Sequence, residues 1–307
     1  MKVLVTGGAG FIGSHLMEYL LQNGYEAVAL DNLSVGKKEN LPKGAKLLEM
    51  DVLDDGLVSE VVSGQFDAIV HLAGQTMVNK SIDNPDFDAQ QNVLGTIRVL
   101  EAARQAGVDR VIFASTAAAY GNVPESDLPI KEMRKTAPMS FYGLSKVTVE
   151  KYLDLYHKLY GLDYVVLRFA NVYGERQGDG GEGGVISIFA QRVAEGQDIT
   201  IFGDGEQTRD FIYAGDIASG IGAALKTTEV NAAYNLSTQT QTSLRELVSV
   251  LSNVAGRKII PKYAAERPGD IYKSMLSNGR ARRGLGWKPN VSLEEGLRRT
   301  YAYFAHA

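Results

Sequence analysis

The chain has 307 residues, 45% of them hydrophobic and 22% charged, with 32 basic and 36 acidic side chains for a net charge of −4, and no cysteine. These proportions exclude a disordered or fibrous chain, and the length is enough for about two domains. The mild negative charge gives no general attraction to nucleic acid or anionic lipid, and a chain without cysteine has no disulfide framework, thiolate metal site or catalytic thiol.

His15, His71, His157 and His306 lack the spacing of metal ligands, so packing or surface roles are expected and no metal centre. The residues before Gly7 hold only a three-residue apolar run, short for a signal peptide, and no run of about 18 apolar residues follows. A cytoplasmic address, with no membrane or nucleic-acid partner, is the expectation.

In chain order, β-branched runs predict strands over 2–6, 26–31, 45–50, 68–71, 110–114 and 164–169, and apolar positions at helical spacing predict helices over 15–23, 57–62, 92–105 and 145–160. Gly24, Gly107 and Gly161 fall just past three of these helices, where a left-handed cap suits glycine. Such repeated alternation predicts an α/β fold with a parallel sheet covered on both faces. From 171 onward a glycine-rich stretch, 174–184, reads as a mobile loop, followed by helices over 185–195, 215–225, 243–254 and 293–303 and short strands over 200–202 and 233–236. The expected architecture is a Rossmann-type doubly wound parallel sheet with a smaller α/β substrate-binding domain. The first domain spans 1–170 with 210–240 returning to it; 171–209 and 241–307 form the second.

Gly7, Gly10 and Gly13 form a G-x-x-G-x-x-G turn between the first strand and the first helix. There glycine permits a tight turn, close approach to a pyrophosphate and close helix packing, and the helix N-terminus supplies N–H groups and a positive dipole end. Asp31 ends the second strand, where a carboxylate accepts from ribose hydroxyls and repels a 2′-phosphate, favouring NAD, although Lys37 and Lys38 keep NADP open. Asp51 ends the third strand and Ala73 and Gly74 follow the fourth, at the same sheet edge.

Tyr142 and Lys146 are four residues apart, hence on one helix face. A phenol with a pKa near 10 is a poor base at neutral pH, but a neighbouring ammonium and a cationic nicotinamide favour its phenolate. Thr116, at the tip of the fifth strand, brings a hydroxyl to the same edge, where it either holds a substrate oxygen or caps its own turn.

These segments together, Thr6–Gly13, Asp31-Asn32, His71–Ala73, Asn92–Thr96, Ser115-Thr116 with Tyr120-Gly121, Tyr142–Lys146 and Arg168–Gly174, resemble the extended short-chain dehydrogenase/reductase family over nearly the whole chain. Within it the chain looks most like the NAD-dependent nucleotide-sugar epimerases of the UDP-glucose 4-epimerase type. The resemblance implies Thr116, Tyr142 and Lys146 as the catalytic triad. It implies NAD held by Gly7, Gly10, Phe11, Ile12, Gly13, Asp31, Asn32, Gly36, Asp51, Val52, Leu72, Ala73, Gln75, Asn92 and Phe169, with Tyr142 and Lys146. For a UDP-sugar it implies Thr116, Asn171, Val185, Phe202, Arg209, Arg267, Asp270 and Ser274, with the two arginines on the diphosphate. A homodimer is expected on the same ground. One departure is Arg168-Phe169-Ala170 where many relatives have an aromatic pair before Asn171.

Similar sugar dehydratases carry an acidic pair after the catalytic hydroxyl, whereas Thr116 is followed by Ala117, Ala118 and Ala119, so an oxidised sugar is expected only to be reduced again. That favours C4 inversion through a transient 4-keto sugar. Ser274 stands where relatives restricted to glucose and galactose have a bulky Tyr, which implies that N-acetylated sugars are admitted as well. A dehydratase, a reductase, a UDP-glucuronate epimerase and a non-catalytic NAD-binding module remain the alternatives.

Overall fold

The computed structural model describes residues 1–178, 184–266 and 271–306. The first half runs β1 (Lys2–Thr6), α1 (Phe11–Gln22), β2 (Glu26–Asp31), β3 (Lys46–Glu49), α2 (Leu57–Gly64), β4 (Ala68–His71), α3 (Val78–Asp83), α4 (Pro85–Ala89), α5 (Gly95–Ala106), β5 (Arg110–Thr116), α6 (Phe141–Tyr160) and β6 (Asp163–Phe169). The second adds β7 (Asn171–Tyr173), α7 (Val185–Ala194), β8 (Thr200–Phe202), β9 (Thr208–Arg209), β10 (Phe211–Tyr213), α8 (Ala214–Lys226), β11 (Ala232–Leu236), β12 (Thr242–Ser243), α9 (Leu244–Val254), β13 (Lys262–Ala264), α10 (Gly279–Gly284) and α11 (Leu293–Ala305).

Seven parallel strands form one sheet in the order β11-β6-β5-β4-β1-β2-β3. Inside the edge strand β3, which is partly exposed, the strands are largely buried on both faces, which is why they read as nearly continuous apolar runs. Val3 and Val5 enter a core with residues of α1 and α8, while Leu4 between them enters another with residues of α2, α5 and α6. The sheet is thus doubly wound and Rossmann-type, as expected, and its order reverses between β1 and β4. A third core joins Phe189 of α7, Ile201 of β8, Phe211 of β10, Leu247 and Leu251 of α9 and Leu297 of α11. Leu276, Ala281, Leu285 and Trp287 pack instead into the first core with Tyr234 and Leu236 of β11.

The structure departs from the sequence pattern at several places. α6 begins at Phe141 rather than 145, because Ser140 caps it by accepting from the Gly143 N–H at 3.1 Å, and this places Tyr142 in the first turn. The helix expected over 92–105 starts as a π turn, Gln90–Leu94, before α5. α3 and α4 lack apolar periodicity and were not expected; α4 starts from an Asn84 cap and Pro85 at its first position. Of the stretch 174–184 expected as a mobile loop, residues 179–183 lie outside the described residues.

Arg168, the departure noted above, belongs to a buried network beneath the fifth and sixth strands. Its guanidinium donates to both oxygens of Glu150, at 3.0 and 2.5 Å, and to Tyr120 Oη at 2.9 Å, and Ser115 Oγ donates to Glu150 at 2.6 Å. Tyr120 Oη in turn donates to Asn235 Oδ1 of β11 at 2.7 Å. Burial opposes the Arg168 charge, but the Glu150 carboxylate outweighs it and holds the guanidinium above its usual range. Removing one partner leaves a buried charge uncompensated, so Glu150→Ala is expected to destabilise the fold by about 3–5 kcal/mol. Urea denaturation measures this, and a loss under about 1 kcal/mol would contradict it.

Candidate active site

The carboxyl ends of β1, β2, β4 and β5 border a cavity of about 470 Å³ at the point where strand order reverses, the place where open α/β sheets bind ligands. The turn between β1 and α1 forms one wall. Gly7 has φ +70°, and a Cβ there would stand 2.8 Å from Ala73 N; a Cβ on Gly13 would stand 2.0 Å from Gly7 O. Side chains at these positions would fill the cradle or push α1 off the strand. No side chain caps α1 and no acidic residue lies in its first turn, so its positive end stays available to an anion. The residues therefore fit a dinucleotide pyrophosphate.

Phe11, Ile12, Gly10, Leu72, Ala73 and Phe169 line this wall and the floor, as the resemblance implied. Asp31, 7% exposed, accepts from Ala9 N at 2.9 Å and from Leu33 N at 2.9 Å, which fixes its carboxylate at the strand tip. Gly36 must be small, since a Cβ would meet both Asp31 oxygens at 2.9 Å. Asn32 donates to Asp51 at 2.6 Å, joining the ends of β2 and β3 beside Val52. Lys80 and Lys146 are the cations lining the cavity among the described residues, and Lys37 and Lys38 are not part of it. A 2′-phosphate would meet the Asp31 carboxylate with no arginine to bind it, so this end suits NAD.

Thr116, Tyr142 and Lys146 meet on the opposite wall. A hydrogen bond from Thr116 favours the Tyr142 phenolate, but burial prevails and, with the Asp88 charge, pushes Tyr142 up to about 12. Burial lowers Lys146 to about 8. Its Nζ lies 4.9 Å from the centre of the Phe113 ring and 5.9 Å from that of Tyr142. Thr116 Oγ1 also accepts from Ala118 N at 3.1 Å, so the hydroxyl caps its own turn and serves the cavity at once. Ser115 is spent on Glu150.

Behind these groups lies a chain of buried hydrogen bonds. Thr96 Oγ1 donates to Asn92 O at 2.6 Å, which assigns His71 Nε2 as the donor to Thr96 at 2.9 Å and Nδ1 as the acceptor from Thr6 at 2.7 Å. Burial, with Lys146 nearby, takes His71 down to about 3, so it is a neutral spacer. Asn92 stands behind the cavity and not on its lining: it is 2% exposed, and its amide holds Gln75 N at 2.8 Å and Gln75 O at 3.0 Å. Gln75 itself lines the cavity. Gly74, which follows the fourth strand, has φ +152°, and a Cβ there would lie 2.5 Å from Asn92 Oδ1. Thr76, Lys80, Phe87, Gln91 and Gln177 also line the cavity and were missed, because α3, α4 and the turn after β7 carry no apolar period.

The residues implied for the sugar nucleotide are less closely gathered. Asn171 on β7 is exposed, Val185 opens α7, and Phe202 on β8 and Arg209 on β9 are half-buried; none lines the cavity. Ser274 is brought to Arg209 by the backbone: Thr208 N donates to Tyr272 O at 2.9 Å, and Thr208 pairs with Lys273 as an isolated parallel bridge. Asp210 secures this corner by accepting from Thr238, Gln239 and Leu276 backbone N–H groups at 2.9 to 3.2 Å. Arg267 and Asp270 lie outside the described residues.

A doubly wound sheet with a glycine cradle, an acidic strand tip and a Thr-Tyr-Lys wall defines a dinucleotide-dependent enzyme of the short-chain dehydrogenase/reductase class. The model of the NAD dependent epimerase/dehydratase family matches residues 3–237, and the chain belongs to that family. It is similar to the UDP-glucose 4-epimerase of Thermotoga maritima solved with UDP-glucose, at 41% identity and TM-score 0.94, covering 99% of this chain and 98% of that one. The UDP-glucose 4-epimerase of Thermus thermophilus solved with NAD is 41% identical, with TM-score 0.92 and 99% of each chain covered. The UDP-N-acetylglucosamine 4-epimerase of Methanobrevibacter ruminantium, solved with UDP-N-acetylmuramic acid, is 34% identical, with TM-score 0.93 and 99% and 97% covered. Among the described residues no helix is long and apolar enough to cross a membrane.

Proposed function

We propose that this chain is a UDP-sugar 4-epimerase that works with resident NAD. The observation that carries the reading is the Thr116-Tyr142-Lys146 wall facing the cradle, with only alanines at 117–119 after the hydroxyl. When bound, NAD supplies reversible hydride acceptance at C4 of the sugar. Tyr142 takes the proton of the C4 hydroxyl, Thr116 holds the same oxygen, and the Lys146 ammonium stabilises the phenolate. Ala117, Ala118 and Ala119 have no group that can carry out an elimination, so the 4-keto sugar is reduced again. It is reduced from the other face once the sugar has turned, while Arg209 and Arg267 keep the diphosphate in place.

The reading is tested with purified protein and no added NAD, incubated with UDP-glucose and followed at the anomeric protons by NMR. Appearance of UDP-galactose is expected; a keto-deoxy sugar would mark a dehydratase, and no change with any UDP-sugar would mark a binding module. Ser274, half-buried beside the Arg209 strand, is proposed as the gate for the C2 substituent. Ser274→Tyr is expected to cut turnover of UDP-GlcNAc by about 10- to 100-fold and to spare UDP-glucose, a difference of about 1–3 kcal/mol. Full activity of that variant on the acetylated pair would refute the gate.

The remaining proposals are coarser. We take 1–170 with 210–240 as the nucleotide unit and 171–209 with 241–307 as the substrate unit, a division supported by the separate core around Ile201 and Leu247 and crossed by Phe211, which joins that core, and by Leu276, Ala281, Leu285 and Trp287, which join the first. A homodimer is supported by Leu144, Leu155 and Leu159, exposed along α6, and sedimentation at micromolar concentration reads it. A cytoplasmic address agrees with a reaction on a nucleotide sugar.

A further inference from the structure

Asp88, on α4, is 1% exposed and has no part in the chemistry above. Its Oδ1 accepts from Gln75 Nε2 at 2.7 Å and from Asn92 Nδ2 at 3.1 Å. Asn92 Nδ2 also reaches Ser145 Oγ, at 3.2 Å, in the residue before Lys146. On the other side of that amide, Asn92 Oδ1 and Lys146 Nζ both lie within 3.8 Å of the point where a Cβ on Gly74 would stand. One carboxylate therefore clamps Gln75 and the Asn92 amide, whose oxygen lies beside the catalytic lysine.

Lys146 is 4% exposed, and a cation so buried needs a counter-charge. The groups around it leave few candidates. His71 on β4 is neutral. Glu150, one turn along α6, is engaged by Arg168 and Ser115. Tyr142 is a protonated phenol in the unliganded pocket, and Phe113 on β5 offers only a ring face. On α3 and α4, Lys80, Asp83 and Asp86 are exposed. Asp88 is left, and its charge acts on both Lys146 and Tyr142.

We infer that Asp88 is a positioning residue for the reaction, the counter-charge that keeps the buried Lys146 an ammonium and the anchor that holds Asn92 beside it. Its effect on turnover rests on the epimerase reading; its effect on Lys146 does not. Asp88→Asn keeps the accepting oxygen and the shape while removing the charge. Asp88→Ala removes both.

The test is a pH titration of the Lys146 13Cε resonance in 13C-lysine-labelled protein carrying its NAD, assigned with Lys146→Met. In Asp88→Asn the Lys146 midpoint is expected to fall by about one unit, with the thermal midpoint close to that of the unaltered protein. The alkaline limb of kcat/KM for epimerisation is expected to fall with it, and Asp88→Ala to lose thermal stability as well. An unchanged Lys146 midpoint in Asp88→Asn would overturn the inference, as would a stability loss equal to that of Asp88→Ala. If the unaltered protein does not epimerise UDP-sugars, the functional reading fails while the titration still decides the role of Asp88.

Discussion

Tyr142→Phe is expected to lower the rate of C4 inversion by about 10²- to 10⁴-fold, the usual contribution of a positioned general base. The ring stays in its half-buried place in the first turn of α6, so the fold loses only the phenol's hydrogen bond with Thr116. NAD content and thermal midpoint should therefore be unchanged while the NMR rate collapses. Turnover within about threefold of the unaltered protein would remove Tyr142 as the base. Burial, with the Asp88 charge, pushes the phenol up to about 12, so on its own it is a weak base at neutral pH. The Lys146 ammonium and a cationic nicotinamide both favour the phenolate, which ties its strength as a base at neutral pH to occupancy of the nucleotide cavity.

Gly13→Ala should have the largest effect on the cofactor end. The added Cβ would stand 2.0 Å from Gly7 O and 2.8 Å from Gly8 Cα, both backbone atoms that cannot rotate away. Gly7 O already accepts from Gly10 N at 3.2 Å, so moving it opens the turn that forms the cradle. A loss of about 3 kcal/mol in urea denaturation is expected, with protein purified free of NAD. Gly24→Ala is the control: it has φ +76° but nothing within 4 Å, so only the strain of the left-handed conformation, about 1 kcal/mol, is expected. Equal effects at the two positions would show that closeness of α1 to the strand is not what requires glycine at position 13.

Much of the fold was legible because its signals are local. The runs that form β1, β2 and β4 needed no partner to be read, and Gly107 and Gly161 adopt φ +66° and +75° just past α5 and α6, as their positions implied. The glycine turn, Asp31 at its strand tip and the four-residue spacing of Tyr142 and Lys146 are local in the same sense. The π turn was not legible: the extra residue that turns Asn92 inward is selected by its bonds to Gln75 and Ser145, 17 and 53 positions away. Nor was the role of Arg168, whose partners Glu150 and Tyr120 lie 18 and 48 positions off and cross three elements.

The amino-acid sequence by itself determined the class of fold, the glycine turn of the cradle and the four-residue spacing that puts a phenol and an amine on one helix face. Each follows from steric or periodic rules that act within about a dozen residues. Only the tertiary structure decided which of two adjacent hydroxyls stays available to the cavity, since Ser115 donates to Glu150 of α6, which is itself held by Arg168 of β6. It also decided that Asn92 supports the cavity from behind, and that Asp88 sits within electrostatic reach of Lys146. These outcomes depend on burial, and burial is a property of what packs against a residue from distant parts of the chain.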